Sequence, residues 1–379
     1  MNGLGGLHLR AQWDGRAVSA VSVENSRPMA ASVLAGRSVD EAVSLVPVMF
    51  SLCGRAQGLA ARAACAAARG DDLSKLDAQE AERAVAVETA QEHLWRLLID
   101  WPALFDMPER RSRFASFHKR LRGIAERPES AFDVGGELLD LVVLDLFGGF
   151  FRSAREPVTL SEFVECARAS GDVGEVLAAL LDMGASVPES ADMALVRPRP
   201  AADWVACLGG LPSPAYCRAP TLAGVPCENG VLARQADSRM VSSLIAHRHR
   251  IAARLFARVV DLVDCASRLR RPLADDVLPL VDAMAMQDGI GLASVESARG
   301  TLLHVVSVDG DTVVDYAIVA PTEWNFCPGG PFEREASGWT APDRETALRR
   351  LRALTLSLDP CVEYSLELVD AVDDGGGYA

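Results

Sequence analysis

Cys53 and Cys361 are the residues from which chemistry is read first. Cys53 lies in Ser51-Leu52-Cys53-Gly54-Arg55-Ala56, where Gly54 and the nearby Pro47 interrupt an Ala- and Leu-rich helical stretch. Cys361 lies in Asp359-Pro360-Cys361-Val362-Glu363-Tyr364, at the start of an alternating run. A free cysteine in such a place is either a small packing residue or a soft ligand, and the residues alone leave both open. Arg299 stands between Ala298 and Gly300. It reads as an ordinary cation at a hairpin tip, or as a contact for a ligand, since a glycine beside it favours close backbone approach. His247 and His249 are two apart on a predicted helix and so point about 200° from each other. With Arg248 and Arg250 alongside, they read as a solvated face. Cys217 and Cys227 lack the paired spacing of a zinc site and read as structural. Cys327 lies close in sequence to Trp324-Asn325. There is no G-x-S-x-G, phosphate loop or nucleotide fingerprint, and His118 and Asp106 have no visible relation to a Ser or Cys. Nucleophilic catalysis finds no support.

The elements that must position these residues are mostly helical. His8 to Val23 reads as a hairpin turning at Asp14-Gly15. Helical stretches follow at 39–68, bent near Cys53, and at 78–98, 110–126, 136–147, 161–169 and 173–183. The stretch 186–235 is richer in Pro and Gly and is read as irregular, with one short helix. The longest predicted helix is 239–271, apolar on one side and arginine-rich on the other. Strand character spans 291–318 with a turn at Asp309-Gly310. A helix follows at 343–356. Val362, Tyr364, Leu366 and Leu368 then alternate with polar residues as a half-buried strand, and the tail around 373–377 is expected to fray.

The 379 residues suffice for one large domain or two to three smaller ones. A net charge of −14 opposes binding to a phosphate backbone and suits partners with basic patches. Met1 to Gly6 has neither a basic nor an apolar signal region. No stretch is long and apolar enough to span a bilayer. Nine cysteines, an odd number without paired spacing, read as reduced thiols of a cytoplasmic protein.

Four ordered motifs resemble those of the large, catalytic subunit of [NiFe]-hydrogenases, and more closely its truncated relatives, the HupK/HoxV type of hydrogenase maturation protein. Leu7-His8-Leu9-Arg10 with the Asp14-Gly15 turn is similar to the opening hairpin. Cys53-Gly54 is similar to R-x-C-G-x-C. Val295 to His304, followed by Tyr316 and Pro321-Thr322-Glu323-Trp324-Asn325, resembles E-A-P-R-G-x-L-x-H and P-T-x-W-N. Asp359-Pro360-Cys361 resembles D-P-C-x-x-C. The departures are uneven: the family's proton-carrying glutamate falls on Gly6, its first arginine on Ser51, its second cysteines on Ala56 and Tyr364, and its histidines on Ala60 and Glu367.

The resemblance implies an α+β, mostly α, large-subunit-like fold in a single domain over 1–379. It would comprise a hairpin region (1–35), a central long-helix core (38–272, irregular at 186–235) and a C-terminal hairpin, helix and strand (289–379). It implies that Cys53 and Cys361 are metal ligands, with Arg299 and Thr322 donating to cyanide ligands on iron and Asp359 orienting Arg299. Half the thiolates of a nickel–iron site are gone, so no nickel is expected. Two remaining thiolates can hold one iron. The expected role is a non-enzymatic scaffold that transiently binds an Fe(CN)2CO fragment. It would receive the fragment from the maturation proteins that build it and pass it to the hydrogenase large subunit, without nucleic acid or membrane insertion. The alternative is a metal-free mimic of the large subunit, acting as a chaperone or interaction partner.

Overall fold

The computed structural model describes residues 5–152, 156–184, 193–271, 273–274 and 277–371; the tail expected to fray lies outside them. Strands β1 (Leu7–Trp13) and β2 (Val18–Asn25) form the expected antiparallel hairpin. Leu7, Leu9, Ala11 and Trp13 alternate inward on β1, as the two-residue strand period requires.

Helix α1 (Val39–Met49) starts from a capping box in which Ser38 and Glu41 satisfy each other's backbone N–H groups. It contains Pro47, gives way to a tight turn at Ser51–Cys53, and continues at 93° as α2 (Gly54–Arg69). Cys53 therefore sits on the elbow. The alanines of α2 serve close approach to a sheet: a Cβ on Gly291 would lie 2.2 Å from the Ala64 carbonyl oxygen. Among the described residues no single helix is long and apolar enough to cross a membrane.

Helix α3 (Ala78–Trp95) is capped by Asp77 and runs on through a widened turn, Arg96–Asp100. Next come α4 (Arg111–Gly123), α5 (Ala131–Asp140), α6 (Leu160–Arg168) and α7 (Gly171–Asp182). Where one short helix was expected in the middle, three form: Ala201–Leu208, Pro214–Arg218 and Val231–Gln235. Two-residue strands at 194–195 and 227–228 pair in parallel there.

The longest predicted helix is in fact two, Arg239–Ala246 and α8 (Arg250–Arg270). The break falls at His247–His249, where Arg248 takes φ 64°, a costly conformation for a residue with a Cβ. The arginine face of α8 is not solvated over its first half. Arg250, Arg254 and Arg258 are buried, and the acids that neutralise them come from distant segments. Phe256 on the apolar side meets Phe147, Phe150 and Phe163, at the centre of the main core.

Strands β3 (Val281–Gln287), β4 (Ile290–Ser297), β5 (Gly300–Asp309) and β6 (Thr312–Val319) make a four-stranded antiparallel meander, one strand more at its start than the pattern predicted. The short helix α9 (Pro321–Asn325) and helix α10 (Arg344–Leu358) lead to β7 (Tyr364–Asp370). β7 pairs in parallel with β1, so that strand is central, between β2 and β7. Only Leu368 of β7 is fully buried, so the strand is more exposed than its alternation suggested.

Candidate metal-binding site

The elbow and the C-terminal turn bring the two singled-out cysteines to one place. Cys53 and Cys361 both line a cavity of about 290 Å³ that also includes Gln57, Arg27, Glu323 and Cys217. Burial pushes the Cys53 thiol up to about 12, the neighbouring Cys361 adds to this, and Arg299 opposes it. Cys53 is therefore a thiol at neutral pH, and a cation binding there would have to displace its proton.

Cys361 is held by α9. Its backbone N–H donates to Thr322 Oγ1 at 3.2 Å, and its Sγ lies 3.1 Å from the same hydroxyl. The turn leading to it is set by Asp359, which closes α10 in the left-handed region (φ 56°, ψ 65°), and by Pro360. Arg299 occupies the tight turn between β4 and β5. Gly300 there has φ 119°, and a Cβ on it would meet Asn229 Oδ1 at 2.2 Å, so glycine is required. Arg299 donates from Nε to Asp359 Oδ1 (3.3 Å) and from Nη2 to Glu92 Oε2 (2.7 Å). Its buried Nη1 has no hydrogen-bond partner among the described residues. The charge of Arg299 acts on Cys53, and both cysteines act on Arg299.

Asp359 is the hub. Burial alone would raise its pKa, but Arg96, Arg299 and Arg258 together hold the carboxyl far below the usual range. Arg96 donates at 2.7 and 3.0 Å to Oδ1, and Arg258 at 3.2 Å to Oδ2. Arg96 and Arg299 have second acids, Asp100 and Glu92; Arg258 pairs only with Asp359 among the described residues.

Sequence reasoning missed Glu92, Arg96 and Arg258, together with Glu88 and Gln57. Glu88 accepts the first N–H groups of α2, from Arg55 (2.8 Å) and Ala56 (3.1 Å), fixing the elbow from below. Its carboxyl is raised by burial, against those two hydrogen bonds. The available signal was periodic: Glu88, Glu92 and Arg96 recur at i, i+4 along one face of α3 and its continuation.

Of the other candidates, His304 is a satisfied core residue between Tyr316 and Gln57. Cys327 is buried against the Trp324 carbonyl oxygen and does not line the cavity. Cys227 belongs to a separate core cluster, while Cys217 reaches the cavity wall. His249 is buried rather than solvated. Where the second cysteines would stand, Ala56 is fully buried and Tyr364 is 44% exposed. No cluster of three or more His, Cys, Asp or Glu side chains suited to a metal occurs among the described residues. The arrangement offers two thiols, a hydroxyl and a guanidinium N–H without a partner. That set suits a soft cation whose other valences carry anionic, hydrogen-bond-accepting ligands.

A family profile described as nickel-dependent hydrogenase matches residues 232–366. Hydrogenase expression/formation protein HupK of Bradyrhizobium diazoefficiens is 28% identical over 372 residues, covering 94% of this chain and 95% of that protein. Hydrogenase expression/formation protein HoxV of Cupriavidus necator is 27% identical over 390 residues, covering 93% and 94%. Among solved structures, the Ni-Fe-Se hydrogenase of Desulfovibrio vulgaris Hildenborough in its reduced state superposes with a TM-score of 0.64 at 14% identity, covering 92% of this chain and 94% of that one.

Proposed function

Because this chain is homologous along nearly its whole length to the HupK/HupV/HoxV hydrogenase expression/formation proteins, on the fold of a hydrogenase large subunit, we propose that it serves hydrogenase maturation as a non-enzymatic scaffold. It holds an Fe(CN)2CO fragment between Cys53 and Cys361 and passes it to a hydrogenase large subunit. One observation supports this above the others. The two thiols share a cavity, and the guanidinium of Arg299, which lies outside that lining but whose charge acts on Cys53, keeps a buried N–H without an acceptor among the described residues. A buried donor left unpaired costs free energy, and a cyanide nitrogen is an acceptor that would relieve it. Thr322 supplies a second donor beside Cys361.

The donor set fits a cargo better than a resident catalyst. Two thiolates bind one soft ion and leave it accessible from a cavity that also reaches Arg27 and Glu323. With Ala56 and Tyr364 in place of the other cysteines, nothing in the site bridges a second metal. Asp359 and its arginines keep the guanidinium of Arg299 in place before and after loading.

The test is infrared spectroscopy on protein produced together with the maturation proteins that build the iron fragment and purified anaerobically. Wild type is expected to show cyanide and carbonyl stretching bands. Cys53→Ala and Cys361→Ala should lose them while keeping the wild-type circular dichroism. A wild-type protein free of iron and of both band sets defeats the scaffold reading; if it still binds a large subunit tightly, the metal-free mimic takes its place.

A further inference from the structure

Cys53 has a partner that its role as a ligand does not explain. Gln57, one turn further along α2, places its side-chain Nε2 3.7 Å from Cys53 Sγ, within range for an N–H···S contact. Its Oε1 lies 2.9 Å from His304 Nε2, and His304 Nδ1 lies 2.7 Å from the Tyr316 hydroxyl. All three side chains are buried, His304 completely. They link the elbow to strands β5 and β6.

The direction of this chain of hydrogen bonds is fixed from its far end. The Tyr316 hydroxyl has one described partner, His304 Nδ1, and a buried hydroxyl that donated nowhere would forfeit a hydrogen bond. Tyr316 therefore donates and Nδ1 accepts. A neutral imidazole then carries its proton on Nε2, and burial does hold His304 neutral, lowering its pKa to about 3. Nε2–H must donate, so Gln57 presents Oε1 to it and is left with its NH2 facing Cys53. An NH2 group cannot accept from a thiol S–H; it can only donate to sulfur lone pairs. The wiring thus serves an electron-rich sulfur, the thiolate that a metal binds.

We infer that Gln57 is a positioning residue that donates a hydrogen bond to metal-bound Cys53, its amide locked in that sense by His304 and Tyr316. The effect on a bound ion follows from the chemistry. A donor on the sulfur withdraws electron density from it and weakens the metal–sulfur bond. It makes the cargo easier to release. This regulation of release rests on the scaffold reading above, whereas the orientation of the Gln57 amide does not.

The two parts are tested separately. In iron-free protein carrying 15N only in glutamine, the Gln57 NH2 pair is identified by its loss in Gln57→Leu. Tyr316→Phe, which frees His304 and the amide to reverse, is expected to shift that pair, and Cys53→Ser is expected to shift it again. A Gln57 pair unmoved by both variants overturns the relay. In loaded protein, Gln57→Leu is expected to move the carbonyl band to lower wavenumber and to slow iron loss to a chelator by about three- to tenfold, the worth of one hydrogen bond. Tyr316→Phe should act in the same direction but less. A band and release rate unchanged in Gln57→Leu overturn the effect on cargo. If wild type carries no iron while the amide pair responds as expected, the scaffold reading fails and the relay stands.

Discussion

Replacing Asp359 by Asn isolates one charge at the centre of the site. Asn has nearly the same shape and tolerates the left-handed conformation at this position, so the backbone should hold. What is lost is the acceptor facing Arg258 and the negative charge shared by three guanidiniums. Arg299 retains Glu92 and Arg96 retains Asp100. Among the described residues Arg258 retains only carbonyl oxygens, of Arg254 and Ser357, and its side chain is 2% exposed. Its pKa is already lowered by burial, an effect that Asp359 opposes. Leaving one member of such a pair buried without its counterion costs about 3–5 kcal/mol. Unfolding entropy of roughly 2.1 cal/mol/K per residue makes 1 kcal/mol worth about 1.3 °C in a chain of this size, so Tm should fall by about 4–6 °C. Differential scanning calorimetry on Asp359→Asn measures it. The double variant Asp359→Asn with Arg258→Met should recover most of the loss, because an apolar side chain of similar length can replace a buried ion pair at little cost. A single variant that melts within about 1 °C of wild type refutes a stranded Arg258 charge, as does a double variant in which removing Arg258 deepens the loss additively.

Three further outcomes are expected. Since burial raises the Cys53 thiol to about 12, a soft probe ion such as cobalt(II) must displace its proton. Affinity should therefore rise with pH between 6 and 9, by about tenfold per unit for each proton released, and a pH-independent isotherm would contradict the assignment of Cys53 as ligand. Glu228, between Arg250 and Arg254, titrates near 2 because those arginines outweigh its burial. A carboxyl depressed on folding stabilises the native state above its unfolded value of about 4.5, and that share, roughly 3 kcal/mol, is lost as pH falls toward 2; urea midpoints for wild type and Glu228→Gln should converge over that window. Gly291→Ala drives a methyl group into the backbone of α2 at Ala64 and Ala68. It is expected to lower the urea midpoint by more than any surface Gly→Ala, for example at Gly210, where a Cβ would meet nothing.

The parts of the site legible in the sequence were those fixed by short motifs. Cys53-Gly54, Ala298-Arg299-Gly300, Pro321-Thr322 and Asp359-Pro360-Cys361 each depend on local backbone geometry, a turn, a helix start or a positive φ, and local geometry leaves a local trace. The charges that hold Arg299 and Asp359 in place from other helices, Glu92, Arg96 and Arg258, left none of that kind. Arg250, Arg254 and Arg258 recur every four residues, the same spacing as a solvated helix face, and only the arrival of Glu228, Glu335 and Asp359 from elsewhere in the chain makes them interior. Gln57 was hidden in an alanine-rich run, and its partner His304 lies 247 residues away. The hairpin and most helices followed their periodicity. The break at Arg248 and the pairing of β7 with β1 did not, because nothing near those residues in sequence encodes what they pack against.

The parallel pairing of β7 with β1 also carries a consequence for synthesis. Cys361 and the strand behind it leave the ribosome after every element they dock on. A nascent chain can fold its helices and the meander while β1 waits with one edge bare, but the second thiol arrives only with the closing strand. On the scaffold reading, loading would wait for that strand: a chain stalled before residue 361 lacks the second of the two thiols proposed to hold the ion.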